Sequence, residues 1–148
     1  MVLVDKDIKA RANEIFIKNY KEENVKCMSY DLRVKEVVDK TYDGKFFELK
    51  PKQMCFVRMM EEIDIPLDLT ARISTKYGRL LEQCMVIGPD YQPGHKTAIV
   101  VAVYNLSSEY SFIIKEGSSL CQLIFSQLSG IPDVPYNKQA NAKFNLID

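Results

Sequence analysis

Apolar and polar residues alternate in short runs through most of this chain, and only near the start do apolar residues recur at helical spacing. Ile8, Ala12, Ile15 and Phe16 fall three or four positions apart, on one face of a helix, and Asp5 ahead of them is a residue type that accepts hydrogen bonds from the open N–H groups of a helix start. This pattern predicts a helix from Asp5 to Asn19. Beyond it, β-rich runs are expected at 29–34, 36–42, 46–49, 54–60, 69–73, 96–104, 110–114 and 120–127, with a short helical turn over 77–83. Turn residues divide them: Asp43-Gly44, Lys50-Pro51, Ile65-Pro66-Leu67-Asp68 and Lys115-Glu116-Gly117. Strands spaced about ten residues apart, with no long helix between them, predict a mainly β domain: a jelly-roll or barrel of antiparallel strands.

Composition narrows what such a domain does. With 148 residues, 47% of them hydrophobic, there is apolar material for one core. Twenty basic residues balance twenty acidic ones, so no overall field draws the chain to nucleic acid or to an anionic membrane, and any anion site has to be local. No apolar run approaches the roughly 20 residues that cross a bilayer, and charges stand in the N-terminal stretch where a secretion signal needs an apolar centre. A cytoplasmic protein is therefore expected. Cys27, Cys55, Cys84 and Cys121 are far apart and His95 is the single histidine, which argues against protein-bound zinc and for reduced cysteines used in packing.

The local anion site, if present, belongs to 74–105. There a glycine-broken basic loop, Ser74 to Arg79, and a turn-rich segment, Gly88 to Gly94, lead into a β-branched strand. Polar loops held between strands are where sites concentrate. The Arg79 guanidinium offers a fork for phosphate oxygens, Lys76 a point charge, Thr75 a hydroxyl, and the loop backbone its N–H groups. The amide-rich tail, 131–148, with two lysines and two aromatics in VPYNKQANAKFNLID, fits either a frayed terminus or an arm over a ligand or a neighbouring subunit. The expected division is a β domain over 1–130 and a C-terminal arm over 131–148.

Several segments taken in order carry a resemblance: VLVDKDIK, SYDLRV, IPLDLTARI, STKYGRL, PGHKTAIVVAVYN, KEGSSLCQLIFSQLSG and PYNKQANAKF. Together they are similar to the dCTP deaminase family of the trimeric dUTPase-like superfamily. The resemblance implies a distorted jelly-roll or β-barrel of the dUTPase-like (β-clip) type with a short N-terminal helix. It also implies a homotrimer with sites at subunit interfaces, a zinc-free mechanism, Mg2+ carried by nucleotide phosphates, and dCTP, dUTP or dTTP as ligand. On this resemblance Thr75, Lys76 and Arg79 form the phosphate loop, Gln122 contacts phosphate from a neighbouring subunit, and Tyr136 and Lys143 belong to an arm that closes over the triphosphate. A glutamine expected later in that arm falls on Ile147.

The chemistry departs from the family. The glutamate that shuttles protons in active deaminases aligns with Ala102, and the aspartate before proline-glycine aligns with Gln92, which can hydrogen-bond but cannot act as a base. A dUTPase-style register instead puts Gly88 in place of the catalytic aspartate, Asp90 at a second one, and Tyr91 beneath the sugar. The expected function is thus a nucleotide-binding homotrimer with impaired or absent deamination. Two alternatives stay open: an active deaminase or dUTP diphosphatase with Asp90 as a relocated base, and a protein-interaction trimer independent of nucleotides. Whether the protein is an enzyme is left open by the residues. His95 reads as a packing or hydrogen-bonding residue; the alternating Ser29, Asp31 and Arg33 fit structural ion pairing at a trimer interface as well as nucleotide contact and are not counted in the site.

Overall fold

In the computed structural model, which describes residues 1–142, the N-terminal helix α1 (Asp5–Ile15) buries Ile8, Ala12 and Ile15. Its cap is Val4 rather than Asp5, and the Asp7 carboxylate accepts the Val4 N–H at 3.3 Å. The helix ends earlier than the apolar spacing predicts. Phe16 turns extended and opens strand β1 (Phe16–Lys18), which pairs with Ile63 and Glu62 of a later strand. Phe16 is buried there against the rings of Tyr20, Tyr30 and Phe125, a tertiary gain that overrides one further helical turn. Asn19, at φ +63°, then reverses the chain in a conformation asparagine tolerates.

The remaining elements are β2 (Tyr30–Asp31), β3 (Val34–Val37), β4 (Phe46–Leu49), β5 (Met54–Asp64), β6 (Leu69–Thr75), a one-turn helix α2 (Tyr77–Leu81), β7 (Cys84–Ile87), β8 (Asp90–Tyr91), β9 (Lys96–Asn105), β10 (Phe112–Lys115) and β11 (Cys121–Gln127). They form three antiparallel sheets. One runs β1-β5-β9-β7, with β3 beside β1 along the same edge of β5; the second runs β2-β11-β6-β8; β4 and β10 make the third. The mainly β architecture with one short N-terminal helix is as expected, but the sheets do not close into a barrel. The four-stranded sheet ends in two-residue strands, β2 and β8, which supply too few ladder bonds to carry pairing further round.

Three expectations about strands are corrected. The run 29–34 is two strands, β2 and β3, because the chain crosses from one sheet to the other there: Leu32 N–H still donates to Cys121 O at 3.1 Å, and Arg33 O already accepts from Met60 N of β5 at 2.8 Å. The run 36–42 stops at Val37, which still faces Val57 of β5 while its N–H donates to the Tyr42 hydroxyl at 3.0 Å, so the chain curls back on itself after this point. The strand expected over 54–60 continues to Asp64. Between Arg58 and Glu62 its register against β9 shifts, and a shift of this kind bends a long strand.

The two sides of the five-stranded sheet differ. Cys55, Val57, Met59, Ile63, Ile99, Val101 and Val103 enter the core, whereas Met54, Phe56 and Ile87 stay exposed on the same outer face as Ala102. Inside, the fully buried Glu61 accepts from Tyr30 Oη at 2.9 Å and from Arg33 N at 3.0 Å and Nε at 2.9 Å, so its charge is both paired and hydrogen-bonded. After β11 the chain turns back over the Pro93-Gly94 turn and makes a single 3-10 turn (Tyr136–Lys138), with Tyr136 N donating to Pro93 O at 2.9 Å.

Candidate functional site

The basic loop is built where β6 ends and α2 begins. Thr75 does not point its hydroxyl into open space: Oγ1 accepts the Val86 N–H at 2.9 Å and donates to Val86 O at 3.2 Å, stitching β6 to β7. Lys76 is the N-cap of α2, and its carbonyl accepts the N–H groups of both Arg79 and Leu80 at 3.0 Å. Its own N–H donates to Leu120 O at 3.1 Å. The amides of Lys76, Arg79 and Leu80 are therefore engaged within the fold.

Each cation of the loop meets an anion of this chain. Lys76 Nζ lies 2.7 Å from Oδ2 of Asp31, a residue only 5% exposed, whose other oxygen is buried without a hydrogen-bond partner among the described residues. Arg79 donates through Nε to Ser119 O and through Nη1 to Glu82 Oε1, each at 3.0 Å. These groups line a crevice of about 280 Å³ formed by Lys76, Gly78, Arg79, Glu82, Ser118 and Ser119. Gln122 is in register with Asp31 on one side and Ser74 on the other, and its Oε1 accepts from Ser29 Oγ at 2.9 Å. Ser29, Asp31, Lys76 and Gln122 thus make one polar patch beside the crevice.

The turn-rich segment forms a second centre. Gly88 packs so tightly against β6 that a Cβ there would lie 2.5 Å from Ile73 Cγ1 and 2.8 Å from Ile73 Cβ, so only glycine fits without displacement. Asp90 is exposed on β8, opposite Arg72. Tyr91 is buried, its carbonyl accepting from Thr70 Oγ1 at 2.9 Å, and burial pushes its phenol well above the usual range. Gln92 is exposed, and its carbonyl accepts the His95 N–H at 3.1 Å. Gly94 holds φ +85°, and a Cβ there would meet Asn137 Oδ1 at 2.7 Å. The arm rests directly on this turn: the Tyr136 ring lies 4.1 Å from that of His95, which is in turn 5.7 Å from that of Tyr91. Gln92, Pro93, Leu128, Pro135, Tyr136 and Gln139 contribute to a second crevice of about 460 Å³.

The expected site residues accordingly fall into two groups, Thr75, Lys76, Arg79 and Gln122 at the loop, and Gly88, Asp90, Tyr91, Gln92 and Tyr136 around the turn. Tyr136 lines the second crevice and not the first. Lys143 lies outside the described residues, as does Ile147. Ala102 stands in the middle of β9 between Phe56 and Ile87, its cross-strand neighbours, both apolar and about half exposed. Among the described residues no three His, Cys, Asp or Glu side chains are grouped to hold a metal ion. Sequence reasoning passed over Glu82 and named Asp31 only with Ser29 and Arg33, outside the site. The Arg79–Glu82 spacing was visible as a helical i,i+3 pair, but nothing local joined Lys76 to Asp31, 45 residues away.

Residues 35–128 match the family described as dCTP deaminase-like. A dCTP deaminase of Shewanella amazonensis is 30% identical over 104 residues, covering 69% of this chain and 53% of that protein, so the chain spans about half the relative's length. Among solved structures, the 2'-deoxycytidine 5'-triphosphate deaminase from Agrobacterium tumefaciens superposes with a TM-score of 0.70 at 15% identity, over 86% of this chain and 48% of that one. The native dUTPase of EIAV superposes at 0.58 with 17% identity, over 86% of this chain and 92% of its own. At such identities the structural likeness establishes a dUTPase-like fold, and the match over 35–128 establishes the family: this chain belongs to the dCTP deaminase-like proteins.

Proposed function

We propose that this protein binds a pyrimidine deoxynucleoside triphosphate, dCTP, dUTP or dTTP, at the subunit interfaces of a homotrimer and deaminates it poorly or not at all. The carrying observation is Ala102. It occupies the middle of β9 with Phe56 and Ile87 as its cross-strand neighbours, and none of the three side chains can move a proton. Deamination of a cytosine ring requires a proton to reach the ring nitrogen and another to leave the attacking water; losing the group that does this costs roughly 10²–10⁴-fold.

Binding is supported by the Arg79 crevice, where a guanidinium and an ammonium, with Glu82 beside them, line a volume of about 280 Å³. Gln122 and the arm residues Tyr136 and Lys143 are proposed to reach nucleotide across the assembled interface. Mg2+ enters this reading only as a counter-ion on the ligand's phosphates. Assembly is supported by the outer face of the five-stranded sheet, where Met54, Phe56 and Ile87 are exposed together, an arrangement that favours burial against another subunit. Asp90 gains no support as a relocated base, because it sits on the other sheet, opposite Arg72. The test is calorimetry with dCTP, dUTP and dTTP in the presence of Mg2+, on protein whose mass has been measured by light scattering. Saturable heat at one site per chain of a trimer is expected; no heat from any of the three overturns the reading.

A further inference from the structure

The crevice at Arg79 already contains an anion. Glu82 Oε1 accepts from Arg79 Nη1 at 3.0 Å, and both residues line the same volume of about 280 Å³. The Arg79 Nε is fixed on Ser119 O at 3.0 Å, which leaves the Nη edge, where Glu82 sits, as the edge a ligand oxygen would take. The second cation is neutralised as well, since Lys76 Nζ is 2.7 Å from Asp31 Oδ2. Glu82 within the crevice and Asp31 beside it thus balance the charges of Arg79 and Lys76. The two pairs are not equivalent, however. Asp31 is buried in the sheet, its side chain 7% exposed, while Glu82 is 52% exposed at the end of α2 and is free to rotate into water at little cost.

We infer that Glu82 is a specificity-determining residue of this crevice: an internal competitor that a phosphate group must displace from Arg79. The inference rests on the phosphate-binding role proposed above and adds what controls it. Displacement has two consequences. The affinity for any phosphate ligand is lowered by the free energy of the Arg79–Glu82 contact. The displaced carboxylate also stays at the rim and repels the ligand in proportion to the ligand's charge, so a Mg2+-complexed polyphosphate, carrying less net charge, is penalised less than the free one. Glu82 therefore tunes the crevice towards metal-complexed polyphosphate without itself touching the metal.

Inorganic tripolyphosphate isolates this effect from recognition of the base or sugar. Its affinity is measured by calorimetry with and without Mg2+ for the full chain and for Glu82→Gln, which keeps the shape and removes the charge at an exposed position; Glu82→Ala serves as a second variant. Both substitutions are expected to tighten binding about two- to five-fold, the range of an exposed ion pair, with the larger gain in the absence of Mg2+. A merely structural role for Glu82 would not change the Mg2+ dependence. Equal affinity and equal Mg2+ dependence in all three proteins overturn the role of Glu82 while leaving phosphate binding standing. No binding by any of the three overturns the phosphate-binding reading and this inference with it.

Discussion

Replacing Gly88 by alanine places one methyl group into the contact between the end of β7 and β6. The new Cβ would lie 2.5 Å from Ile73 Cγ1 and 2.8 Å from Ile73 Cβ, distances that require movement. Ile73 cannot simply rotate away: it is 9% exposed, belongs to the core, and is held in the ladder opposite Leu123. Overpacking of this kind costs about 1–3 kcal/mol. For a protein of about 150 residues, each kcal/mol lowers the melting temperature by about 2–4 °C, so Gly88→Ala is expected to lose about 2–12 °C, measured by circular dichroism or urea unfolding. The assignment to Ile73 is checked by a double-mutant cycle. Ile73→Ala removes the Cγ1 and Cγ2 atoms but keeps Cβ, so Gly88→Ala should cost measurably less in that background. An unchanged melting temperature for Gly88→Ala, or the same penalty in both backgrounds, would refute the packing argument. The contact also bears on function, because an aspartate placed at position 88 would meet the same obstacle and push on the strand that carries the basic loop.

Glu61→Gln removes a fully buried charge that Arg33 and Tyr30 share, leaving the mostly buried guanidinium uncompensated; a loss of about 3–5 kcal/mol is expected in the same unfolding assays. The Asp68 carboxyl accepts from Arg11 Nη1 at 2.8 Å and Nη2 at 2.7 Å, and this pairing holds it below the usual carboxylate range. A carboxyl depressed in the folded state contributes stability that is present above its unfolded pKa of about 4 and lost as pH falls through the folded value. The melting temperature should therefore drop less steeply below about pH 4 in Asp68→Asn than in the parent protein. Burial pushes the thiols of Cys55 to about 12 and Cys84 to about 11, and Cys121 higher still, whereas Cys27 is exposed. Iodoacetamide at pH 8 should add once per native chain, at Cys27, and mass spectrometry reads the site.

What the sequence revealed and what it withheld follow the range of the forces involved. The strands β9 and β11 were legible as long apolar, β-branched or aromatic runs bounded by turn residues, although Thr97 to Ile99 and Leu123 to Phe125 are buried on both faces. Patterning failed for β7, a short unbroken apolar run, Cys84 to Ile87, directly after a helical turn, which has no period to read. It failed again at Phe16, whose helical spacing is correct but whose fate is set by β5 and by rings distant in the chain. The site divides in the same way. Arg79 and Lys76 were legible as a basic loop, and the absence at Ala102 became legible once the family register was laid over the strand. The counter-charge of Asp31 on Lys76 and the steric need for Gly88 both arise from strands brought together by folding, and neither leaves a local mark. The arm residue Tyr136 was expected over phosphates; within one chain its ring rests on His95.

The central claim is that a deaminase-like frame binds its nucleotide without performing the chemistry. It is tested most directly by mixing excess protein with dCTP and Mg2+, confirming that the nucleotide is bound, quenching over a time course, and separating the products by chromatography. The account predicts that the bound nucleotide is recovered as dCTP, and that Ala102→Glu, which returns a titratable group to the middle of β9, raises conversion above this baseline. Stoichiometric conversion of bound dCTP to dUTP or dUMP by the unaltered chain would contradict it.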